Sequence, residues 1–109
     1  RHSNRHTQIA QKLNYLFGKA TGNPQTIMRS KEMLRLLESV GFFDTPENRN
    51  YILNYLENVF YDQANISEIQ ADGRLIKDSF LMGSQGGLKM QTVWSENKLI
   101  TFFLKKGGN

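Results

Sequence analysis

Apolar positions in the first half of the chain repeat at the spacing of an amphipathic helix. The first stripe, within residues 6–20, consists of Ile9, Leu13, Leu16, Phe17 and Ala20. A second stripe follows the capping pair Asn23-Pro24 and stops at Gly41. A third follows Thr45-Pro46 and runs to about residue 62. The sequence therefore predicts three consecutive helices.

After residue 65 the apolar spacing changes to the period of two that is typical of β-strands. Four strands are predicted, at 66–70, 74–82, 88–95 and 98–105, with turns at Asp72-Gly73, across 83–87 and at Glu96-Asn97. Such a meander is antiparallel, and only the helices can cover one of its faces. The predicted fold is α+β, with three N-terminal helices packed on one face of a four-stranded antiparallel sheet. We expect a single domain, 1–109, with a helical half (4–62) and a sheet half (65–106).

Strand alternation predicts which side chains each face of the sheet carries. The core-facing positions are predicted to be Ile76, Phe80, Met82, Leu88, Met90, Trp94, Ile100, Phe102 and Leu104. The uncovered face is predicted to collect Lys77, Ser79, Lys89, Gln91, Ser95, Thr101 and Lys105. Thr92 interrupts the apolar set and is expected at the edge of a site. A polar, cationic face suits RNA phosphates, although lysines on an ordinary solvated face give the same pattern.

Composition narrows the class of protein. A chain of 109 residues fits one domain, and its 39% hydrophobic content is sufficient for a folded core. Cysteine is absent, which excludes disulfides, thiolate metal sites and a cysteine nucleophile. No apolar run is long enough to cross a membrane, and the N-terminal residues have neither a signal-peptide core nor an initiator Met. We interpret the chain as a domain cut from a longer protein.

The net charge of +4 is unevenly distributed. Residues 1–41 carry a net charge of +5, residues 42–73 carry −5, and residues 74–109 carry +4. This asymmetry suggests a face that binds a polyanion and a separate acidic face. Mutual neutralisation of the blocks in the folded chain is the alternative.

Several kinds of site lack support in the sequence. No paired carboxylates stand at a spacing that suggests glycoside hydrolysis, and the glycines of 83–87 do not form a P-loop. His2 and His6 are four residues apart, but no third ligand accompanies them, so we predict no metal site and no cofactor.

A metal-free ribonuclease has simpler requirements. One group takes the proton of the 2′-hydroxyl, another protonates the leaving 5′-oxygen, and cations stabilise the charged phosphorane. Imidazole titrates near neutral pH, which makes a histidine the natural proton-transfer group. The catalytic candidates are His6, Lys89, Thr101 and Arg29. The substrate-binding candidates are Lys77, Ser79, Gln91, Thr92, Ser95 and Lys105. An exposed, solubilising role is the alternative for each.

The chain resembles the C-terminal toxin domains of contact-dependent growth inhibition effectors. The resemblance lies in the order of the elements and in stretches 12–18 (KLNYLFG), 29–34 (RSKEML), 86–94 (GGLKMQTVW) and 97–101 (NKLIT). It covers nearly the whole chain and implies the ribonuclease architecture of barnase, EndoU, colicin D and RelE. The EndoU subtype has two histidines within a compact catalytic region, whereas here both histidines lie in the first six residues.

The resemblance also implies a function. Such domains are metal-independent endoribonucleases that very often cleave tRNA, and each is neutralised by a cognate immunity protein that blocks its active site. Some members depend on elongation factor Tu. The domain is then secreted as the tail of a cell-surface effector and acts in the cytoplasm of the target cell, and the isolated domain needs no membrane.

Three hypotheses follow. The favoured one is an interbacterial ribonuclease toxin. The second is a non-catalytic module that binds RNA or a translation factor with the same basic face. The third is a protein-interaction domain that docks through its acidic third helix or its basic helices.

Overall fold

A computed structural model describes residues 2–106 of the chain, with side chains from residue 5 onwards. The helices are α1 (His2–Leu16), α2 (Pro24–Ser39) and α3 (Pro46–Tyr61). A 3-10 turn, Gln63–Asn65, leads to the strands β1 (Ile66–Ile69), β2 (Leu75–Gly83), β3 (Gly86–Ser95) and β4 (Lys98–Lys106). The strand order is β1-β2-β3-β4 and all pairs are antiparallel. The prediction of three helices followed by a four-stranded antiparallel sheet is therefore confirmed.

Local sequence determines where the helices begin and end. The side chain of Asn23 accepts a hydrogen bond from the backbone N–H of Thr26, and Thr45 caps α3 in the same way. The first helix ends four residues before its predicted end. Gly18 has a left-handed φ of 78°, and a Cβ there would lie 2.9 Å from Cδ2 of Leu34. A glycine at this position ends α1 and lets α2 pack closely against the turn.

One hydrophobic core joins the helices to the sheet. Its helical members include Ile9, Leu13, Leu16, Leu37, Ile52 and Leu56, and its strand members include Leu81, Leu88, Met90, Trp94, Leu99 and Phe102. Helix α1 contacts β4, α2 contacts β3 and β4, and α3 contacts β2. We name the sheet face that carries these strand residues the inner face, and the opposite face the outer face.

The turn between β2 and β3 is shorter than predicted. Gly83 pairs with Gly86, so the turn itself has only two residues, 84 and 85, rather than the five of 83–87. Leu81 therefore stands opposite Leu88, and Phe80 stands opposite Lys89. Because directly opposed residues share a face, the turn length decides which side of β2 is buried.

The predicted facing of β2 is wrong for this reason. Lys77 and Ser79 lie on the inner face with Leu81, while Phe80 and Met82, which were predicted in the core, are exposed. The third strand follows its prediction, with Lys89 and Gln91 exposed between buried neighbours. Lys105 and Thr101 stand opposite Lys89 and Val93, on the outer face as predicted.

Lys77 is buried and bonds the C-terminal end of α3. It is only 3% exposed, and its Nζ donates to the backbone carbonyls of Val59, Phe60 and Asp62 at 2.9, 2.7 and 3.2 Å. These carbonyls lie at the C-terminal end of α3, where the helix leaves acceptors unpaired and its dipole favours a cation. Burial lowers the pKa of Lys77, and the negative charge of Asp62 opposes that shift.

Ser79 and Thr92 also bond within the core. The Ser79 hydroxyl hydrogen-bonds the hydroxyl of Tyr55 on α3. Oγ1 of Thr92 accepts from the indole Nε1 of Trp94 at 2.9 Å and donates to the carbonyl of Lys77 at 3.4 Å. Thr92 is fully buried, so its predicted place at the edge of a site is wrong. Its hydroxyl instead provides the acceptor that a buried indole needs.

Helix α1 covers the beginning of the β4 edge. The Gln8 amide donates to the carbonyl of Leu99 at 2.7 Å and accepts from the N–H of the same residue at 2.9 Å. The Nζ of Lys12 donates to the carbonyl of Ile100 at 2.9 Å. These side chains bond the backbone groups that a neighbouring strand would otherwise pair with.

Candidate nucleic-acid interface

The outer face of the sheet holds an open cavity of about 560 Å³. Strands β2, β3 and β4 supply all of its lining, which consists of Asp78, Ser79, Phe80, Lys89, Met90, Gln91, Phe103 and Lys105. We name it the sheet-face cavity.

Strand register orders the functional side chains into two rows. One row runs across the three strands from Phe80 on β2 to its partner Lys89 on β3 and on to Lys105 on β4. Asp78, Gln91 and Phe103 form the adjacent row in the same way. Neighbouring strands lie about 4.8 Å apart, so two ammonium groups and one carboxylate share a small area.

Asp78 is held in place by its neighbour. The side-chain amide of Gln91 donates to Oδ1 of Asp78 at 3.2 Å, from the directly opposed position on β3. This bond occupies Oδ1 of the carboxylate, and Asp78 is exposed to solvent. An oriented carboxylate beside two ammonium groups can accept a proton and bind a phosphate in the same place.

Two aromatic rings flank these charges. Phe80 is 46% exposed and Phe103 is 51% exposed. A Cβ at Gly87 would lie 2.6 Å from Cε2 of the Phe80 ring and 2.8 Å from the sulfur of Met82. The missing side chain at Gly87 therefore makes room for the Phe80 ring to lie against the backbone of β3.

A second depression, which we name the β4-edge groove, lies between α1, α2 and β4. It measures about 360 Å³ and is lined by Tyr15, Arg29, Glu32, Met33, Leu36 and Thr101–Leu104. A smaller adjoining hollow adds Lys12 and Thr26. Phe103 lines both this groove and the sheet-face cavity, so the two depressions meet at the edge of the sheet.

The structure distributes the predicted site residues over separate places. Lys89, Gln91 and Lys105 line the sheet-face cavity, and Arg29 and Thr101 line the β4-edge groove. Ser95 stands opposite Lys98 at the end of β3, outside both depressions. Lys77 and Thr92 lie on the inner face. Ser79 belongs to the lining of the sheet-face cavity, but its hydroxyl bonds the hydroxyl of Tyr55 on α3.

His6 lies with the helices rather than with the strands. Its Nδ1 is 3.5 Å from Oε2 of Glu57 on α3. The neighbouring Arg5 contacts the same carboxylate at 3.2 Å and lies 4.3 Å above the ring of Phe60. Nothing in this cluster lines the sheet-face cavity.

The side chain of His2 lies outside the described residues, and within them no three His, Asp or Glu side chains gather as a metal site would require.

Sequence reasoning missed two residues of the sheet-face cavity, Asp78 and Phe80. The signal that could have found both is the glycine pair that flanks Ser84-Gln85, which is typical of a two-residue hairpin. A turn of that length moves Asp78 and Phe80 to the side of Lys89.

Across residues 2–106, no helix is long and apolar enough to span a membrane.

No protein-family model matches the chain, and a comparison with curated proteins finds no match. Among solved structures, the fold is similar to a chain of a contact-dependent growth inhibition toxin–immunity protein complex from Klebsiella pneumoniae 342. The TM-score is 0.75 and the sequence identity 26%, with 88% of this chain and 96% of that chain covered. This similarity supports a contact-dependent growth inhibition toxin domain.

Proposed function

We propose that this chain is the toxin domain of an interbacterial growth-inhibition effector and that it is a metal-independent endoribonuclease acting on tRNA. The observation that carries the toxin assignment is the similarity to the Klebsiella toxin complex over nearly the whole of both chains. The sheet-face cavity supports the choice of RNA, because its two lysines offer phosphate contacts beside exposed aromatic rings. The proposal includes the ribonuclease layout, in which the helices cover the inner face and the substrate meets the outer face.

The proposed reaction is an intramolecular transesterification of RNA. The 2′-oxygen attacks the adjacent phosphorus, its proton passes to the Asp78 carboxylate, and the bond from phosphorus to the 5′-oxygen breaks. Lys89 and Lys105 stabilise the additional negative charge of the phosphorane, and Lys89 gives a proton to the leaving 5′-oxygen. The products are a 2′,3′-cyclic phosphate and a 5′-hydroxyl, so the step balances with no further reactant.

The other predicted catalytic residues take different places in this proposal. Arg29 and Thr101, which share the β4-edge groove, bind a phosphate next to the one that reacts. His6 is paired with Glu57 at the helical surface, so proton transfer passes to Asp78. The variant His6→Ala is then expected to retain most of its cleavage activity.

The proposed partners follow from the same surface. A cognate immunity protein that covers the sheet-face cavity would present an acidic surface to Lys89 and Lys105. Elongation factor Tu is a second proposed partner. It is required only if the toxin cleaves tRNA that is bound to this factor. We propose that the domain is delivered as the tail of a cell-surface effector and acts in the cytoplasm of the target cell.

One cleavage assay tests the proposal directly. The purified chain is incubated with total tRNA in EDTA, with and without elongation factor Tu, and the products are separated on a denaturing gel. Discrete fragments are expected with the wild-type chain, and none with Lys89→Ala or Asp78→Asn. Matched controls are Lys31→Ala, an exposed lysine on α2, and Glu68→Gln, a carboxylate on the same sheet but outside the cavity. Intact tRNA in both wild-type lanes would refute the ribonuclease assignment.

The two variants of the cavity are expected to differ in RNA binding. Asp78→Asn removes a negative charge from beside the phosphate, so it should bind tRNA more tightly than the wild-type chain while it fails to cleave. Lys89→Ala should lose both binding and cleavage. If Asp78→Asn instead cleaves normally, the carboxylate is not the base.

A non-catalytic RNA-binding or translation-factor-binding module is the second candidate. The observation that favours it is that no histidine is among the residues that line the described sheet-face cavity. This candidate predicts retention of intact RNA with an affinity that falls steeply as salt rises.

A further inference from the structure

Exposed aromatic rings on a cationic sheet face are unusual enough to carry information about the ligand. Phe80 and Phe103 are both about half exposed, and Met82 beside them is 55% exposed. Apolar side chains scattered singly need no explanation, but these three share the outer face with Lys89 and Lys105. A ligand that fits this face would combine flat apolar surface with negative charge.

We propose that the sheet-face cavity binds unpaired nucleotides of an RNA strand, with one base stacked on Phe80, another on Phe103, and the intervening phosphates on Lys89 and Lys105. The inference rests on the proposed ribonuclease function and names the substrate class for it, which is single-stranded or looped RNA rather than duplex. Bases of every type have a face that stacks on an aromatic ring, and lysines bind their phosphates without regard to sequence.

The spacing of the two rings does not fit two adjacent stacked bases. Phe80 is on β2 and Phe103 is on β4, so two strand spacings, about 10 Å, separate them laterally. Successive bases in a helical strand are only about 3.4 Å apart along the axis. Two adjacent bases that contact both rings must therefore be unstacked from each other, and a base can stack on a ring only if one of its faces is free. The paired and stacked bases inside an intact duplex meet neither condition.

The setting of each ring supports a stacking role. The Phe80 ring lies against Gly87, where the missing side chain lets it lie close to the strand, and the residue is 46% exposed. Phe103 stands where the sheet-face cavity meets the β4-edge groove, so a strand that stacks on it can continue over the sheet edge towards Arg29. The Asp78–Gln91 pair lies on the same face, so a strand bound across the rings passes the carboxylate that the proposed reaction uses as base.

The test measures binding of oligonucleotides that cannot be cleaved. A fluorescein-labelled 2′-O-methyl RNA of ten nucleotides lacks the attacking hydroxyl, and it is titrated as a single strand and as a blunt duplex by fluorescence anisotropy. The wild-type chain should bind the single strand at least about tenfold more tightly than the duplex. Phe80→Leu and Phe103→Leu should each weaken single-strand binding by about 5- to 100-fold and leave duplex binding unchanged.

A matched control removes a comparable ring elsewhere. Phe43 is 52% exposed, follows α2 and lines neither depression, so Phe43→Leu should bind the single strand like the wild-type chain. Leucine keeps apolar cover over Gly87, and thermal unfolding of each variant establishes that the fold is retained.

Three results would overturn the inference. They are equal binding of duplex and single strand, wild-type binding by both phenylalanine variants, and self-association of the wild-type chain in sedimentation that Phe103→Leu abolishes. The last result would identify the rings as a protein contact. Failure of the proposed function is distinguishable, because it appears as intact tRNA in the cleavage assay with the wild-type chain, whatever the oligonucleotides show.

Discussion

The variant Lys77→Met tests whether Lys77 stabilises the fold, as its contacts indicate, or binds RNA, as the sequence alternation predicts. Methionine keeps most of the apolar stem and removes the ammonium group, which bonds three backbone carbonyls at 2.7–3.2 Å. Hydrogen bonds to charged groups contribute about 1.5–3 kcal/mol each, and burial of the ammonium opposes part of that sum. We expect Lys77→Met to lower the free energy of unfolding by about 2–4 kcal/mol.

The effect is large enough for thermal and chemical unfolding to resolve. For a domain of this size, 2–4 kcal/mol corresponds to a fall in Tm of at least about 8 °C. Below the transition, Lys77→Met should still bind and cleave RNA, because the side chain does not reach the outer face. The matched variant is Lys89→Met, which should change stability by less than about 0.5 kcal/mol and should lose RNA binding.

The opposite pattern would refute this reasoning. If Lys77→Met is as stable as the wild-type chain and has lost RNA binding, then Lys77 faces the ligand, and the register of β2 against β3 is not the one described here.

Three further substitutions test the packing around the site. Gly83→Ala should destabilise the chain by at least about 2 kcal/mol in urea unfolding, because the new Cβ would lie 2.1 Å from the carbonyl oxygen of Val40. Gln8→Ala leaves backbone groups of the β4 edge unpaired, so it should cost about 1–2 kcal/mol and increase light scattering at high concentration. Arg49 bonds both carboxylate oxygens of Asp44 and holds its pKa below its ordinary value of 3.8. Asp44→Asn should therefore cost about 0.5–1 kcal/mol at pH 7, and its stability should converge with that of the wild-type chain as pH falls through the lowered pKa.

Each of these expectations has a contrary outcome. A wild-type midpoint for Gly83→Ala would mean that the loop after α2 does not rest on the β2–β3 turn. Gln11→Ala is the control for Gln8→Ala, because Gln11 is exposed on the same helix, and equal effects would remove the edge argument. A difference between Asp44→Asn and the wild-type chain that persists unchanged at pH 2 would show that the ion pair is not its cause.

Helix and strand order could be predicted because local chemistry determines them. Asn23-Pro24 and Thr45-Pro46 cap their helices as expected from sequence, and the β3–β4 turn falls at Glu96-Asn97. The end of α1 was missed because it depends on the left-handed Gly18 and on Leu34, which comes from another helix. Contacts of that kind are tertiary and leave no periodic signal.

Only part of the candidate site could be predicted, because the burial of Lys77 on β2 has no signal in the sequence of that strand. The alternation of residues along β3 correctly predicted that Lys89 and Gln91 are exposed, because large apolar residues occupy the opposite face of that strand. On β2 a lysine is buried and a phenylalanine exposed, which reverses the usual preference. The buried lysine is possible only because the end of α3 supplies its acceptors, and no pattern within the strand encodes that.

The match between strand order and chain order has a consequence for how the fold forms. Each strand pairs with its neighbour in sequence, so the loops that must close are short and hairpins can form within microseconds. The contact between Gln8 and Leu99 spans 91 residues, so its formation costs more chain entropy than the closure of any of the hairpins. The chain has no cysteine, so no disulfide has to form as it folds. Because Tyr15 of α1 lines the β4-edge groove, the groove exists only when this long-range contact between α1 and β4 has formed.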